Sequence, residues 1–347
     1  MQPNALSVII VPRVDGIEFC MFAKDKPLKT ESKSVNITTD MQMKKLLPFG
    51  QEFNSVIDLT IPNSESKIQY LIHNALPANK CIEIGEYAGV FSSAERIKAL
   101  AALCVKHFPS MLEAYCQEHE IAKDGLQQIW LLVACSTPAL PATKEEEQKY
   151  TDAIQEFMDL CTANMGLADT QIVGTVVSLH TTIIPHILEQ TQVSPYGFIL
   201  VDVADSQAIA MAVSPDGCAL DDCIVMPECG YKELLSQVAK AANESIGRDI
   251  AFTRKTLTSI YETGVVGAVG SPSSRDIKEQ INAINTEFFQ KLQQGLTALN
   301  HTPASIGGVV FCGYNPQIIH SQDENTTYNF IEFSYAHALA NWVANNV

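Results

Sequence analysis

The chain has 347 residues, 46% of them hydrophobic and 18% charged, which supports a large buried core and excludes a disordered protein. Its formal charge of −16, with Lys44-Lys45 and Arg254-Lys255 the adjacent basic pairs in an otherwise scattered set, argues against nucleic acid or an anionic membrane surface as partner. No run approaches the roughly 18 apolar residues of a membrane span, and the first residues lack a signal-peptide pattern, so the expectation is a cytoplasmic protein without membrane insertion.

In chain order, Leu6–Pro12 and Ile17–Ala23 are apolar runs on either side of an Asp-Gly turn, which predicts a β-hairpin. Two further strands are expected at Val35–Thr39 and Val56–Ile61, then a break at Gly85–Gly89. Ile97, Leu100 and Cys104 recur at helical spacing, predicting a helix over 92–118 with Ser92 or Ser93 as N-cap and an interruption at Pro109. Gln128–Cys135 reads as a strand buried on both faces. A helix should follow from Thr143, whose acidic first turn suits the positive end of the helix dipole, to about Asn164. A strand over Thr170–Leu179 and a short helix at Pro185–Gln190 close the first half.

The second half begins in the same way. Phe198–Val203 and Gln207–Val213 predict a hairpin, Ser214-Pro-Asp-Gly217 a turn, and Cys218–Met226 a third strand. A helix over Tyr231–Ala242 precedes an irregular, glycine-bearing segment, Arg248–Gly270. A long helix over Ser274–Leu299 carries Ile277, Ile281, Ile284, Phe288, Leu292 and Leu296 on one face. The strand Ile306–Cys312 and a terminal helix over Phe330–Val343 complete the pattern. The two halves share an architecture without sharing residues. The expected division is 1–192 and 193–347, with a short inserted subdomain near 248–274 and the terminal helix packing back on the first domain.

The ten cysteines are expected to be reduced thiols, mostly in the core. No Cys-x-x-Cys occurs, no histidine lies among Cys218, Cys223 and Cys229, and His180 and His186 are not spaced as helical metal ligands. No metal site is expected.

This order of elements resembles the actin-like ATPase superfamily over nearly the whole chain. Ile129–Cys135, Gln171–Leu179 after Gly166-Leu167, the hairpin 198–213, Pro227–Gly230, Gly308–Gly313 and Ser334–Trp342 are similar to its successive segments. The resemblance implies an α/β fold of two pseudo-duplicated domains, each a mixed sheet flanked by helices, around a central cleft. It places Gly16, Asp202, Ser206 and Gly313 nearest to any nucleotide. The family holds a triphosphate in glycine-rich hairpin turns, and here those turns depart from its pattern. Pro12-Arg-Val-Asp-Gly16 lacks the Asp-x-Gly-Thr sequence, and Asp202-Val-Ala-Asp-Ser-Gln207 has no glycine and adds Asp205. The implied function is an inactive or very weak ATPase-fold scaffold that binds another protein, with self-association left open and ATP or ADP bound weakly if at all. Two alternatives stand beside it. One is an active filament-forming or chaperone-type ATPase. The other is a thiolase-like acyltransferase using Cys135, which ends a buried strand but is followed by Pro138 and Pro141.

Overall fold

The computed structural model describes the chain except residues 1–4, 15, 24, 78–79, 86, 123–127, 136–143, 166–170, 191–193, 221–222, 269, 314–327, 331–333 and 347. It divides into two compact units, Met1–His186 with Ser334–Val347, and Ile187–Phe333.

The first unit contains β1 (Ala5–Arg13), β2 (Gly16–Ala23), β3 (Lys29–Ser34), β4 (Asn36–Thr38), β5 (Val56–Thr60), β6 (Lys67–His73), α1 (Ala94–Glu118), β7 (Gln128–Cys135), α2 (Lys144–Asn164), β8 (Gln171–Ser178) and most of α3 (Leu179–Gln190). Its main sheet has the order β3-β2-β1-β7-β8. β1, β2 and β3 are antiparallel, whereas β7 and β8 run parallel to β1. Alternation along β1 and β2 sends Leu6, Val8, Ile10, Ile17, Phe19 and Met21 into a core shared with Leu100, Leu103, Cys104 and Phe108 of α1 and Phe157 and Cys161 of α2. Ser93 caps α1, accepting from the Arg96 amide at 3.2 Å. Pro109 lies inside this helix without ending it, contrary to the expected interruption.

The third strand of the main sheet is the polar run Lys29–Ser34 rather than 35–39; β4 belongs to a separate small sheet, ordered β4-β6-β5. Asn164 ties that sheet to α2, accepting from the Thr60 amide at 2.7 Å and donating to the Thr60 carbonyl at 2.8 Å.

The second unit contains β9 (Phe198–Val203), β10 (Ala208–Val213), β11 (Ile224–Met226), α4 (Tyr231–Ile246), α5 (Arg254–Thr263), β12 (Val265–Val266), β13 (Arg275–Asp276), α6 (Lys278–Leu296), α7 (Pro303–Ile306), β14 (Val309–Gly313) and β15 (Tyr328–Phe330). Its sheet order is β11-β10-β9-β14-β15, with β9, β10 and β11 antiparallel and β14 and β15 parallel to β9. Both sheets therefore follow the same plan: an antiparallel three-strand meander extended by two parallel strands on the side of its first strand. Ile199, Val201, Val203, Ala208, Ala210 and Ala212 face a core built with Leu234, Leu235 and Val238 of α4 and Phe288, Phe289 and Leu292 of α6. The segment read as irregular holds the ten-residue helix α5, whose Ile260 and Tyr261 are buried in this core. Phe330, expected in the terminal helix, is in β15. The helix is α8 (Tyr335–Asn346), and it packs on β1, β2 and β3 of the first unit. Among the described residues no helix is long and apolar enough to cross a membrane.

Candidate functional site

In the second unit the pairing of β9 with β10 reaches Val203↔Ala208, so residues 204–207 form the loop at that end. The Ala204 amide donates across it to the Gln207 carbonyl at 3.0 Å. Helix α4 starts against this loop, with Gly230 as its N-cap. The φ of Gly230 is an ordinary −84°, so glycine is required here by space. An added Cβ would lie 2.6 Å from the Gln207 nitrogen and closer still to the Ser206 carbonyl carbon.

The first turn of a helix leaves four amides without intrahelical partners, a ready anion site when they are open. At α4 the amides of Tyr231, Lys232 and Glu233 are taken, and Leu234 begins the regular helical ladder. Tyr231 donates to the Ala204 carbonyl at 2.9 Å and Lys232 to the Asp205 carbonyl at 2.8 Å. Glu233 and Leu234 donate to the Gly230 carbonyl at 3.1 and 3.3 Å. The loop's own backbone is thus bonded to the start of the helix.

The Asp205 side chain is fully buried and forms an ion pair with Arg254, at the first position of α5. The guanidinium also lies 5.0 Å from the centre of the Tyr231 ring, and the Tyr231 hydroxyl meets Thr258 Oγ1 at 3.1 Å. Burial raises the Tyr231 pKa above its ordinary value, against the opposing effects of Thr258 and Arg254. Loop, α4 and α5 are therefore locked by one ion pair, one cation–π contact, one side-chain hydrogen bond and two backbone bonds.

Of the four sequence-named residues, Asp202, Ser206 and Gly313 lie in this unit. Asp202 is completely buried on β9, opposite Cys312 of β14, whose thiol pKa is pushed well up by burial and by the Asp202 charge. Ser206 is exposed in the loop. Gly313 has φ +130° and pairs with Val203, and a Cβ there would strike the Val203 carbonyl. Gly16 lies in the first unit, where β1–β2 pairing extends to Arg13↔Gly16 and leaves only positions 14 and 15 between the strands. At φ +152° its Cβ would strike the Lys33 carbonyl of β3. Both glycines are thus explained by strand pairing within their own sheets. The loop segment after Gly313, and residues 136–143 after Cys135, lie outside the described residues.

The residues that sequence reasoning missed are Gly230 as spacer, Arg254 and Glu18. Glu18 sits in the apolar strand β2 yet is 3% exposed. Ser334 and the Tyr335 and Ala336 backbone at the start of α8 favour its charged form, while its Oε2 is buried without a hydrogen-bond partner among the described residues. A carboxylate inside the run Ile17–Ala23 was the available signal, because a buried charge always needs partners. Desolvation raises its pKa, partly offset by Ser334, Arg13 and that backbone. Among the described residues no group of three His, Cys, Asp or Glu side chains is placed to hold a metal.

Solved structures match over almost the full length. A ParM filament subunit from Clostridium botulinum aligns with a TM-score of 0.58 at 11% identity, covering 99% of each chain. The fold is that of the actin-like ATPases. MreB5 of Spiroplasma citri bound to ADP gives a TM-score of 0.55 at 10% identity, covering 99% of this chain and 96% of its own. The archaeal actin homologue Ta0583, in complex with ADP, gives 0.55 at 10% identity, covering 98% and 99%. No protein-family model and no curated sequence matches the chain. Within the actin-like fold the reading of Cys135 as an acyltransferase nucleophile finds no support.

Proposed function

We propose that this chain is an actin-like protein that assembles with protein subunits, further copies of itself included, and does not turn over ATP. The supporting observation is the closed β9–β10 loop. Holding phosphate requires open backbone amides aimed at the anion. Here Tyr231 and Lys232 give theirs to the loop carbonyls, and Asp205 brings a negative charge that Arg254 neutralises. Each unit nonetheless has an extensive hydrophobic core among the described residues, which is the pattern of a fold kept for its shape. Full-length likeness to a ParM filament subunit supports assembly as the use of that shape. The setting is a reducing cytoplasm, where the many buried thiols persist.

The test is sedimentation of purified protein over a concentration series, with Mg-ATP, with Mg-ADP and without nucleotide, alongside phosphate release. Expected is a pelleting threshold that is the same in all three conditions, and phosphate release at the level of the blank. The second reading, nucleotide-dependent assembly, rests on the likeness to two ADP-bound chains. It would put Gly16, Asp202, Ser206 and Gly313 nearest the nucleotide. ATP hydrolysis abolished by Asp202→Ala, or a pelleting threshold that moves with ATP, would establish it instead.

A further inference from the structure

The chain leaves the first unit after His186 and returns to it at Ser334. Helix α3 runs through the first crossing, and Pro185 inside it withholds a backbone donor there. Helix α8 begins directly after the second, at Tyr335. Beside both crossings the imidazoles of His186 and His337 meet edge to face, with ring centres 6.3 Å apart. The His337 amide donates to Ser334 Oγ at 3.0 Å, and its Nδ1 lies 3.4 Å from Thr30 Oγ1 of β3. One imidazole is thus joined to the strand below, to the start of its own helix and to its counterpart on α3.

The surroundings of this pair can offset little added positive charge. Val11 is registered with Glu18, Ile9 with Cys20, and Cys20 with Thr30, so these positions and Arg13 share the sheet face under α8. Lys29, Glu31 and Lys33 alternate to the other face, where Lys29 meets Glu118 of α1 and the other two act on His107. Among the paired residues of β1, β2 and β3, the charged or titratable side chains facing α8 are therefore Arg13, Glu18 and Cys20. Cys20 stays a neutral thiol, its pKa pushed up to about 11 by burial. Arg13 keeps its charge. Glu18 is the one carboxylate of the three, and because burial raises its pKa it loses its charge early as pH falls. Helix α8 contains no Asp, Glu, Lys or Arg, its Tyr335 is buried, and its first turn presents the positive end of the helix dipole. On α3, Glu189 is exposed.

Imidazoles ordinarily take up protons near pH ~6.5. Two protonated rings 6.3 Å apart repel, and here a guanidinium and a helix amino terminus add to the repulsion while the facing acid is being neutralised. We infer that the His186–His337 contact is a proton-sensitive clasp, closed while both rings are neutral and opened by acidification, which frees the first turn of α8 and the adjoining part of α3 beside the two crossings. It holds whether or not the chain assembles.

The test is amide hydrogen exchange of the full chain at about pH 7.5 and about pH 5.5, corrected for intrinsic exchange rates, with α6 of the second unit as reference. His107, pushed down to about 4, is neutral at both values and does not enter. The first turn of α8 is expected to lose protection about tenfold or more at the lower pH, with α6 unchanged. His186→Phe, which keeps an edge-to-face ring that cannot be protonated, should abolish that loss. So should His337→Gln, whose amide can still reach Thr30. Glu18→Gln should leave the loss in place. Equal protection of α8 at both pH values overturns the clasp, as does a loss that persists in His186→Phe. A loss abolished by Glu18→Gln assigns the effect to the carboxylate and overturns it too. An equal loss in α6 would mean general loosening in acid, with nothing special to the histidine pair.

Discussion

Asp205 and Arg254 stand 49 positions apart, and each makes sense only through the other. A carboxylate at zero exposure would be untenable alone, since burying a charge without a partner costs several kcal/mol, but beside a guanidinium it becomes a specific link between a loop and a helix. Removing only the cation should therefore hurt more than removing both charges. Arg254→Gln is expected to cost about 3 kcal/mol, and Asp205→Asn/Arg254→Gln distinctly less, because the double variant leaves no buried charge. Urea midpoints for the wild type, both single variants and the double variant check this. Equal losses in Arg254→Gln and in the double variant would mean that the pair is not what closes the loop.

Among the elements, the start of α8 shows how far one side chain reaches. His337 donates to Ser334 Oγ at 3.0 Å and Ala338 to the Ser334 carbonyl at 3.0 Å, while the Tyr335 and Ala336 backbone favours the charge of Glu18. A strand residue more than three hundred positions away thus faces the start of this helix, with Arg13 as the nearby cation. Because burial raises the Glu18 pKa, the folded chain holds this proton at pH values where the unfolded chain has released it. The resulting stability is full below the ordinary carboxyl value near 4.5 and is lost as pH climbs through the raised value. His107 on α1, pushed down to about 4 by burial and the nearby lysines, acts in the opposite sense: its contribution is present above 6.5 and lost as pH falls toward 4. Glu18→Gln keeps an acceptor for the helix and removes only the first effect. Relative to wild type it should gain stability as pH rises from 4.5, measured as urea midpoints between pH 4.5 and 8. A difference that does not change with pH would show that Glu18 is not protonated on folding.

How much of this was legible follows from the same physics. The strands of the two hairpins and β7 were readable as continuous apolar runs, and α6 by the helical period of its apolar face. β3 was not: as the polar edge of its sheet, Lys-Thr-Glu-Ser-Lys-Ser pairs through backbone alone and carries no hydrophobic period. α5 was hidden because it buries only Ile260 and Tyr261 and is surrounded by glycines. Of the candidate site, the departures from a phosphate loop could be read directly. What fills the space could not, since a helix N-terminus, a spacer glycine and a distant arginine meet there only in three dimensions.

At the scale of the molecule, two units with the same strand order are built from differently distributed stretches of chain. The second is continuous from Ile187 to Phe333, whereas the first must recruit Ser334–Val347 to finish. The contact between Thr30 Oγ1 and His337 Nδ1, 3.4 Å, joins positions 307 apart. Contacts of such separation form late, because closing the long loop costs entropy before any packing compensates for it. On a ribosome the second unit can therefore complete its core while the β1–β3 face still waits for α8 to emerge. The two tryptophans make this order observable: Trp130 on β7 and Trp342 on α8 both belong to the first unit. In stopped-flow refolding, far-ultraviolet circular dichroism should regain much of its amplitude ahead of tryptophan fluorescence. The lag between the two signals is then a clock for the arrival of α8, and simultaneous recovery would mean that the units fold as one.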